Sequence, residues 1–199
     1  MNPFVPARLQ RNLILASASP RRREILERLG FEFETLATGV EENGVACEDD
    51  LRFAAALAER KAAAARILRP GCTIIAADTI VVCAGRRLGK PADGRDAAAM
   101  LRLLSGRPHD VITGVALFGG TGPALAGAES TKVHVRELSE ADIALYVATG
   151  EPFGKAGAYA IQGHAAPFIE KIEGCYFNVV GLPVALVFKM FSQLERKNE

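Results

Sequence analysis

The sequence has almost no excess of either charge: over 199 residues, 24 Lys and Arg stand against 23 Asp and Glu, a formal net charge of +1. General affinity for nucleic acid needs a strongly basic domain, so no nucleic-acid partner is expected and any anion site must be a local concentration of charge. No stretch is long and apolar enough to span a bilayer, and residues 1–10 lack the apolar centre of a signal peptide. No membrane partner is expected, and a reducing cytoplasm is the natural setting. The four cysteines, Cys47, Cys72, Cys83 and Cys175, are scattered without C-x-x-C spacing, which reads as free thiols and not as a zinc site or disulfide framework. The histidines His109, His134 and His164 lack the i, i+4 spacing of a metal pair and read as structural or exposed. No G-x-G-x-x-G follows the first apolar run and no G-x-S-x-G is present, so a dinucleotide site and a serine-hydrolase elbow are both unsupported. The run Gly150-Glu151-Pro152-Phe153-Gly154-Lys155-Ala156 approaches a P-loop, but it is one residue short and carries Ala where a hydroxyl would ligate magnesium.

What is present is an ordinary globular composition, 49% hydrophobic and 24% charged, enough for a full core as one domain or two small lobes. We read residues 1–199 as a single domain, with 1–11 as a flexible extension. A buried strand over 12–18 feeds a helix started by Ser19 and Pro20 and stopped by Gly30, and 31–36 alternates as a second strand. Strand, helix, strand opens an α/β fold. Asp50 caps an alanine-rich helix reaching about 68, and 73–84 is a continuous apolar strand broken only by Asp78 and Thr79. A helix over 95–104 precedes strands at 109–118 and 129–137 that suggest a long hairpin. Ser139 caps a helix to about 149. A short strand at 158–162, a hairpin-like stretch over 168–180 and an amphipathic helix from Pro183 complete the chain. An apolar face on that last helix leaves open either packing on the sheet or a homodimer.

Arg21, Arg22 and Arg23 sit in the first turn of a helix, where backbone N–H groups already carry positive charge. Cations there are unfavourable unless an anion neutralises both, which reads as a phosphate site; a solvated basic patch is the alternative. Asp78 lies inside an apolar strand, where a carboxylate is costly without compensation. A divalent cation, a lysine or use as a base would each supply it, as would backbone N–H groups at a strand bulge. Lys61 has small neighbours that would let it cross toward a site, although taken alone it reads as a solvated helix lysine. Lys90 projects from the Gly89-Lys90-Pro91 loop, and Glu41 and Glu42 follow a glycine turn. Together these cations and carboxylates match what metal-assisted handling of a triphosphate requires.

The segments Ser17-Ala18-Ser19-Pro20-Arg21-Arg22, Glu41-Glu42, Glu59-Arg60-Lys61-Ala62, Ala77-Asp78-Thr79-Ile80-Val81, Gly89-Lys90-Pro91, Thr113-Gly114-Val115 and Lys155-Ala156-Gly157-Ala158-Tyr159-Ala160-Ile161-Gln162-Gly163 resemble, in order, the Maf family of nucleoside triphosphate pyrophosphatases. The last segment and Asn178-Val179-Val180-Gly181-Leu182-Pro183 resemble its dTTP/UTP branch. The resemblance implies an elongated α/β fold related to the inosine triphosphatases, with a central mixed sheet and two lobes flanking a substrate cleft. It implies hydrolysis between the α- and β-phosphates of a nucleoside triphosphate with Mg²⁺ or Mn²⁺. Asp78 would be the general base or a metal ligand, and Glu42 a metal ligand. Ser17, Arg22, Lys61 and Lys90 would grip phosphate, and Arg21, Thr79 and Gln162 would set base specificity. The Gln162 amide offers one donor and one acceptor, matching O4 and N3–H of uracil or thymine. Modified pyrimidine triphosphates present the same edge. The alternatives are the sibling branch acting on 7-methylguanosine triphosphate and a non-catalytic nucleotide-binding regulator of cell division.

Overall fold

The computed structural model describes residues 1–40, 47–120 and 122–196. In chain order the elements are α1 (Ala7–Gln10), β1 (Leu13–Ala16), α2 (Pro20–Arg28), β2 (Glu34–Thr35), α3 (Asp50–Leu68), β3 (Thr73–Cys83), β4 (Arg86–Leu88), α4 (Gly94–Leu104), β5 (Pro108–Gly119), β6 (Leu125–Val135), α5 (Glu140–Ala148), β7 (Ile169–Glu173), α6 (Tyr176–Val180) and α7 (Val184–Arg196). The strands pair in the order β2-β1-β3-β5-β6-β7, with β4 on β3. β1 runs parallel to β2 and β3, while β3 with β4 and β6 with β7 are antiparallel. The fold is therefore a mixed α/β sheet, as expected. The described residues cluster into two compact units.

The first unit draws on Met1–Asp78, Thr113–Glu129 and Gly181–Glu199. β1 is buried at all four positions and pairs from Leu13 with Thr73 to Ala16 with Ala76, the two-faced burial of a parallel strand. α2 starts at Pro20 as expected and is followed by Gly30 in the left-handed region, φ +75°. Strand β2 is shorter than the alternation over 31–36 suggested. Phe31 leaves the ladder and stacks on Phe191 of α7 at 5.9 Å, with Phe188 edge-on. The apolar face of α7, Val187, Met190, Phe191 and Leu194, is buried within this unit. The cap of α3 is Asp49 and not Asp50: its carboxylate accepts from the Arg52 amide at 2.8 Å. Either Asp suits a cap, and Asp49 is the one with extended backbone.

Residues 1–11, expected to form a flexible extension, pack instead. The Gln10 carboxamide accepts from the Asn2 amide at 2.7 Å and donates back to the Asn2 carbonyl at 2.8 Å, and Asn2 Nδ2 donates to the Leu29 carbonyl. Val5 and Leu9 are buried beside them.

α3 buries a row of small residues, Ala54, Ala58, Ala62 and Ala65, which permits close approach of β5. A Cβ on Gly114 would lie 2.0 Å from the Ala54 carbonyl oxygen, inside backbone that cannot swing away. Gly114→Ala is expected to destabilise the protein by about 3 kcal/mol, at the upper end of overpacking costs. Urea denaturation checks this, and an unchanged midpoint would refute the close contact.

The second unit comprises Thr79–Ile112 and Ser130–Val180. Its core gathers Val81, Leu101, Leu104, Val111, Val133, Ile143 and Tyr146. α5 begins with the expected Ser139, in a reciprocal cap with Asp142. The strand expected over 158–162 is absent. Gly157 and Ala158 have φ +68° and +60°, and two successive left-handed residues cannot continue a ladder; the chain forms a 3₁₀ turn over Ala156–Ala158 instead. The hairpin expected over 168–180 is half right, because β7 is followed by α6. The buried Asn178 amide donates to the Val111 carbonyl at 2.8 Å and to Thr131 Oγ1 at 3.0 Å, which holds this segment as a helical turn.

His109 is buried, with Nε2 2.8 Å from the Tyr159 hydroxyl. Burial pushes its imidazole down to about 4 from an ordinary 6.5, outweighing the nearby Asp110 carboxylate. The unfolded chain therefore binds this proton first. Folding stability should fall as pH drops from about 6.5 toward 4, by roughly 3 kcal/mol, because each tenfold loss of proton affinity on folding is worth about 1.4 kcal/mol. Urea midpoints measured across that window should decline in the wild type and decline less in His109→Gln; equal slopes would contradict the reading.

Candidate active site

Asp78 lies at the middle of β3 and is 4% exposed. From α3, Lys61 reaches across and its ammonium donates to Asp78 Oδ1. The Lys61 side chain is only 18% exposed, so it is not the solvated helix lysine its local sequence suggests. A lysine, not a strand bulge, is what compensates the buried carboxylate. The other oxygen, Asp78 Oδ2, is buried and has no hydrogen-bond partner among the described residues. An ionic oxygen withdrawn from water without a donor is costly, and it stands as an acceptor open to a cation or a water.

The turn from β1 into α2 brings a second pair together. Arg22 Nη1 donates to Ser17 Oγ at 2.9 Å and Arg22 Nε donates to the Gly181 carbonyl at 2.7 Å. Ser17 Oγ also accepts the Ser19 amide at 3.2 Å. The Ser19 hydroxyl makes no cap bond, so it leaves the first amides of α2 to another acceptor. A hydroxyl, a fixed guanidinium and the positive end of a nine-residue helix thus share one corner, a donor set suited to phosphate. Arg21 is half-buried beside them. Arg23 turns away to an exposed ion pair with Glu27 at 2.8 Å. The arginine run therefore divides: one member serves the surface and two stay near the turn.

Thr79, Lys90 and Gln162 belong to the second unit. Thr79 follows Asp78 on β3 and is half-buried, its side chain on the opposite face of the strand. Lys90 is exposed in the loop after β4, where the Gly89 carbonyl accepts the Gly157 amide at 3.1 Å. Gln162 is exposed in the turns that follow Tyr159. Glu41 and Glu42 lie outside the described residues. Among the described residues no group of three or more His, Cys, Asp and Glu gathers as a metal cluster. The P-loop look-alike is a turn in which the Lys155 ammonium donates to the Glu151 carbonyl. Each histidine has a neighbour of its own: Tyr159 for His109, Glu173 for His134 and Glu151 for His164. None of the four cysteines is in a disulfide among the described residues. Glu151 carries no local signal in the sequence, since its partners lie up to 14 residues away and come together only on folding.

The Maf-like protein family matches residues 12–194. A dTTP/UTP pyrophosphatase of Pelotomaculum thermopropionicum is 48% identical over 184 residues, 92% of this chain and 96% of that protein. One of Geobacter metallireducens is 49% identical over 176 residues, 88% of this chain and 92% of that protein. Among solved structures, a nucleoside-triphosphatase/dITP/XTP pyrophosphatase from Mycobacterium abscessus aligns with a TM-score of 0.41 at 20% identity, covering 64% of this chain and 75% of that one. A HAM1 protein from Coxiella burnetii aligns with a TM-score of 0.44 at 18% identity, covering 62% and 72%. With a family match over nearly its whole length and close to half its residues shared with curated relatives, this chain belongs to the Maf-like protein family.

Proposed function

We propose that the chain hydrolyses dTTP and UTP, together with modified pyrimidine triphosphates of the same base edge, to the monophosphate and pyrophosphate, clearing such nucleotides from the cytoplasm. The observation that carries the reading is the buried Asp78 carboxylate, with one oxygen held by Lys61 and the other bare. The names of the curated relatives support the substrate class. Four cysteines without a disulfide among the described residues agree with a reducing setting, and no helix among those residues is long and apolar enough to cross a membrane.

The bare Oδ2 is a hard oxygen donor of the kind Mg²⁺ or Mn²⁺ takes. Asp78 would hold such a cation with Glu42 as second carboxylate. When bound, the cation supplies Lewis-acid polarisation of phosphate oxygens. In the alternative role, with the cation left to Glu42, the same Asp78 oxygen accepts the proton of the attacking water. Lys61 fixes the carboxylate with one N–H and keeps two further donors for phosphate. Ser17 and Arg22 grip phosphate oxygens beside the start of α2, and Lys90 adds a charge from its loop. Gln162 reads O4 and N3–H of the pyrimidine, with Arg21 and Thr79 completing base selection. Cytosine presents the opposite pattern on that edge, so discrimination against CTP should be real but incomplete.

Pyrophosphate release from dTTP, UTP, CTP, GTP and 7-methylguanosine triphosphate with Mg²⁺ tests the proposal. Release from dTTP and UTP, less from CTP and little from the purines is the expected result. Turnover confined to 7-methylguanosine triphosphate would move the chain to the sibling branch, and binding without turnover would make it a regulator.

A further inference from the structure

The segment carrying Gln162 is held by one carboxylate outside the assigned site. Glu151 stands just after α5 with its side chain 16% exposed. Its Oε1 accepts the Tyr146 hydroxyl at 2.8 Å. Its Oε2 accepts both the His164 amide and, at 2.9 Å, His164 Nδ1. The Tyr146 oxygen in turn accepts the Ala160 amide at 3.3 Å. Gln162 therefore sits between two fastened points, Ala160 on one side and His164 on the other, and both lead back to Glu151. Room for this arrangement depends on Gly163, where a Cβ would lie 2.1 Å from Glu151 Oε2. Burial alone would push the Glu151 carboxyl up, but the hydrogen bonds from His164, Tyr146 and the Ala165 amide outweigh it and hold the group below the ordinary glutamate range. The anchor thus favours the ionised acceptor form that can serve all of its donors.

We infer that Glu151 is a positioning residue for base selection: its carboxylate, with the Tyr146 hydroxyl, fixes the 160–165 segment so that the Gln162 amide is presented to the base in one orientation. The inference rests on the pyrimidine triphosphate reading of Gln162. Glu151 touches neither phosphate nor water in this scheme, so its loss acts on selectivity before it acts on bond cleavage.

The test compares Glu151→Ala and Gly163→Ala with the wild type, each with and without Gln162→Ala. The ratio of kcat/KM for UTP over CTP should fall roughly tenfold in either variant, the equivalent of one hydrogen bond's net worth, while kcat for CTP stays within threefold. In the Gln162→Ala background neither substitution should lower the ratio further, because residues acting through one contact are not additive. Amide exchange at Ala160 and His164 should accelerate in Glu151→Ala while the amides of α5 keep their protection. Should Glu151→Ala prove too unstable to assay, Gly163→Ala displaces the carboxylate without removing it and carries the same expectations. A retained UTP preference, or unchanged exchange at His164, would overturn the inference. A wild-type chain that cleaves neither UTP nor CTP would overturn the substrate reading and the selectivity role with it, and exchange would then judge the anchor alone.

Discussion

Asp78→Asn is expected to lower pyrophosphate release from dTTP by about two to four orders of magnitude, the usual contribution of a positioned acid or base. The substitution keeps the shape of the side chain, and the Asn carbonyl can still accept from Lys61. What disappears is the negative charge and the oxygen that could take a proton or a cation. Because Asp78 is 4% exposed inside a strand whose neighbours from Thr73 to Ala77 are all buried, no other carboxylate of that strand stands ready to replace it. The check is the initial rate with Mg²⁺ at saturating dTTP, beside an unfolding curve showing that the variant remains folded. A rate within tenfold of wild type would remove Asp78 from the chemistry.

Lys61→Met should be the more damaging change to the fold. Methionine matches the lysine stem in length, so packing along α3 survives, but Asp78 is left as a buried carboxylate with neither oxygen paired among the described residues. Breaking one side of a buried ion pair costs about 3–5 kcal/mol, whereas replacing both partners by neutral groups is often close to harmless. Urea denaturation should therefore show a large loss for Lys61→Met and recovery of most of it in the double variant Lys61→Met, Asp78→Asn. The order of stabilities matters more than the size of either step. A single variant as stable as wild type would mean that the pair is solvated in solution, and a double variant worse than both singles would mean that packing, not charge, governs the position.

These two residues also mark where reading the sequence succeeds and where it stops. Asp78 was legible because an ionisable group inside an unbroken apolar strand has to be compensated, whatever the tertiary fold. Its partner was legible only in part: the small neighbours of Lys61 allow it to cross toward a site, but nothing over the 17 residues between them marks Asp78 as what it meets. Helix starts were legible where the cap and its first turn are neighbours in sequence, as at Ser19-Pro20 and Ser139-x-x-Asp142. Adjacent candidates such as Asp49 and Asp50 were separable only by backbone angles. The two segments misread as extended have separate causes: Ala158 adopts a left-handed conformation that local propensity disfavours, and α6 is held by Asn178 bonds to residues 47 and 67 positions away. The N-terminal segment looked loose because its anchor is a reciprocal amide pair, Asn2 with Gln10, which leaves no pattern in composition. At the start of α2 the three arginines read alike in sequence, and only geometry separates Arg22, bonded to Ser17, from Arg23, paired with Glu27.

The most direct measurement is a ³¹P NMR time course of dTTP turnover by the wild-type protein with Mg²⁺, which identifies the bond broken by its products. Resonances of dTMP and pyrophosphate growing together, with no dTDP and no orthophosphate, are the result expected of cleavage between the α- and β-phosphates. Growth of dTDP with orthophosphate would place cleavage at the terminal phosphate and contradict it.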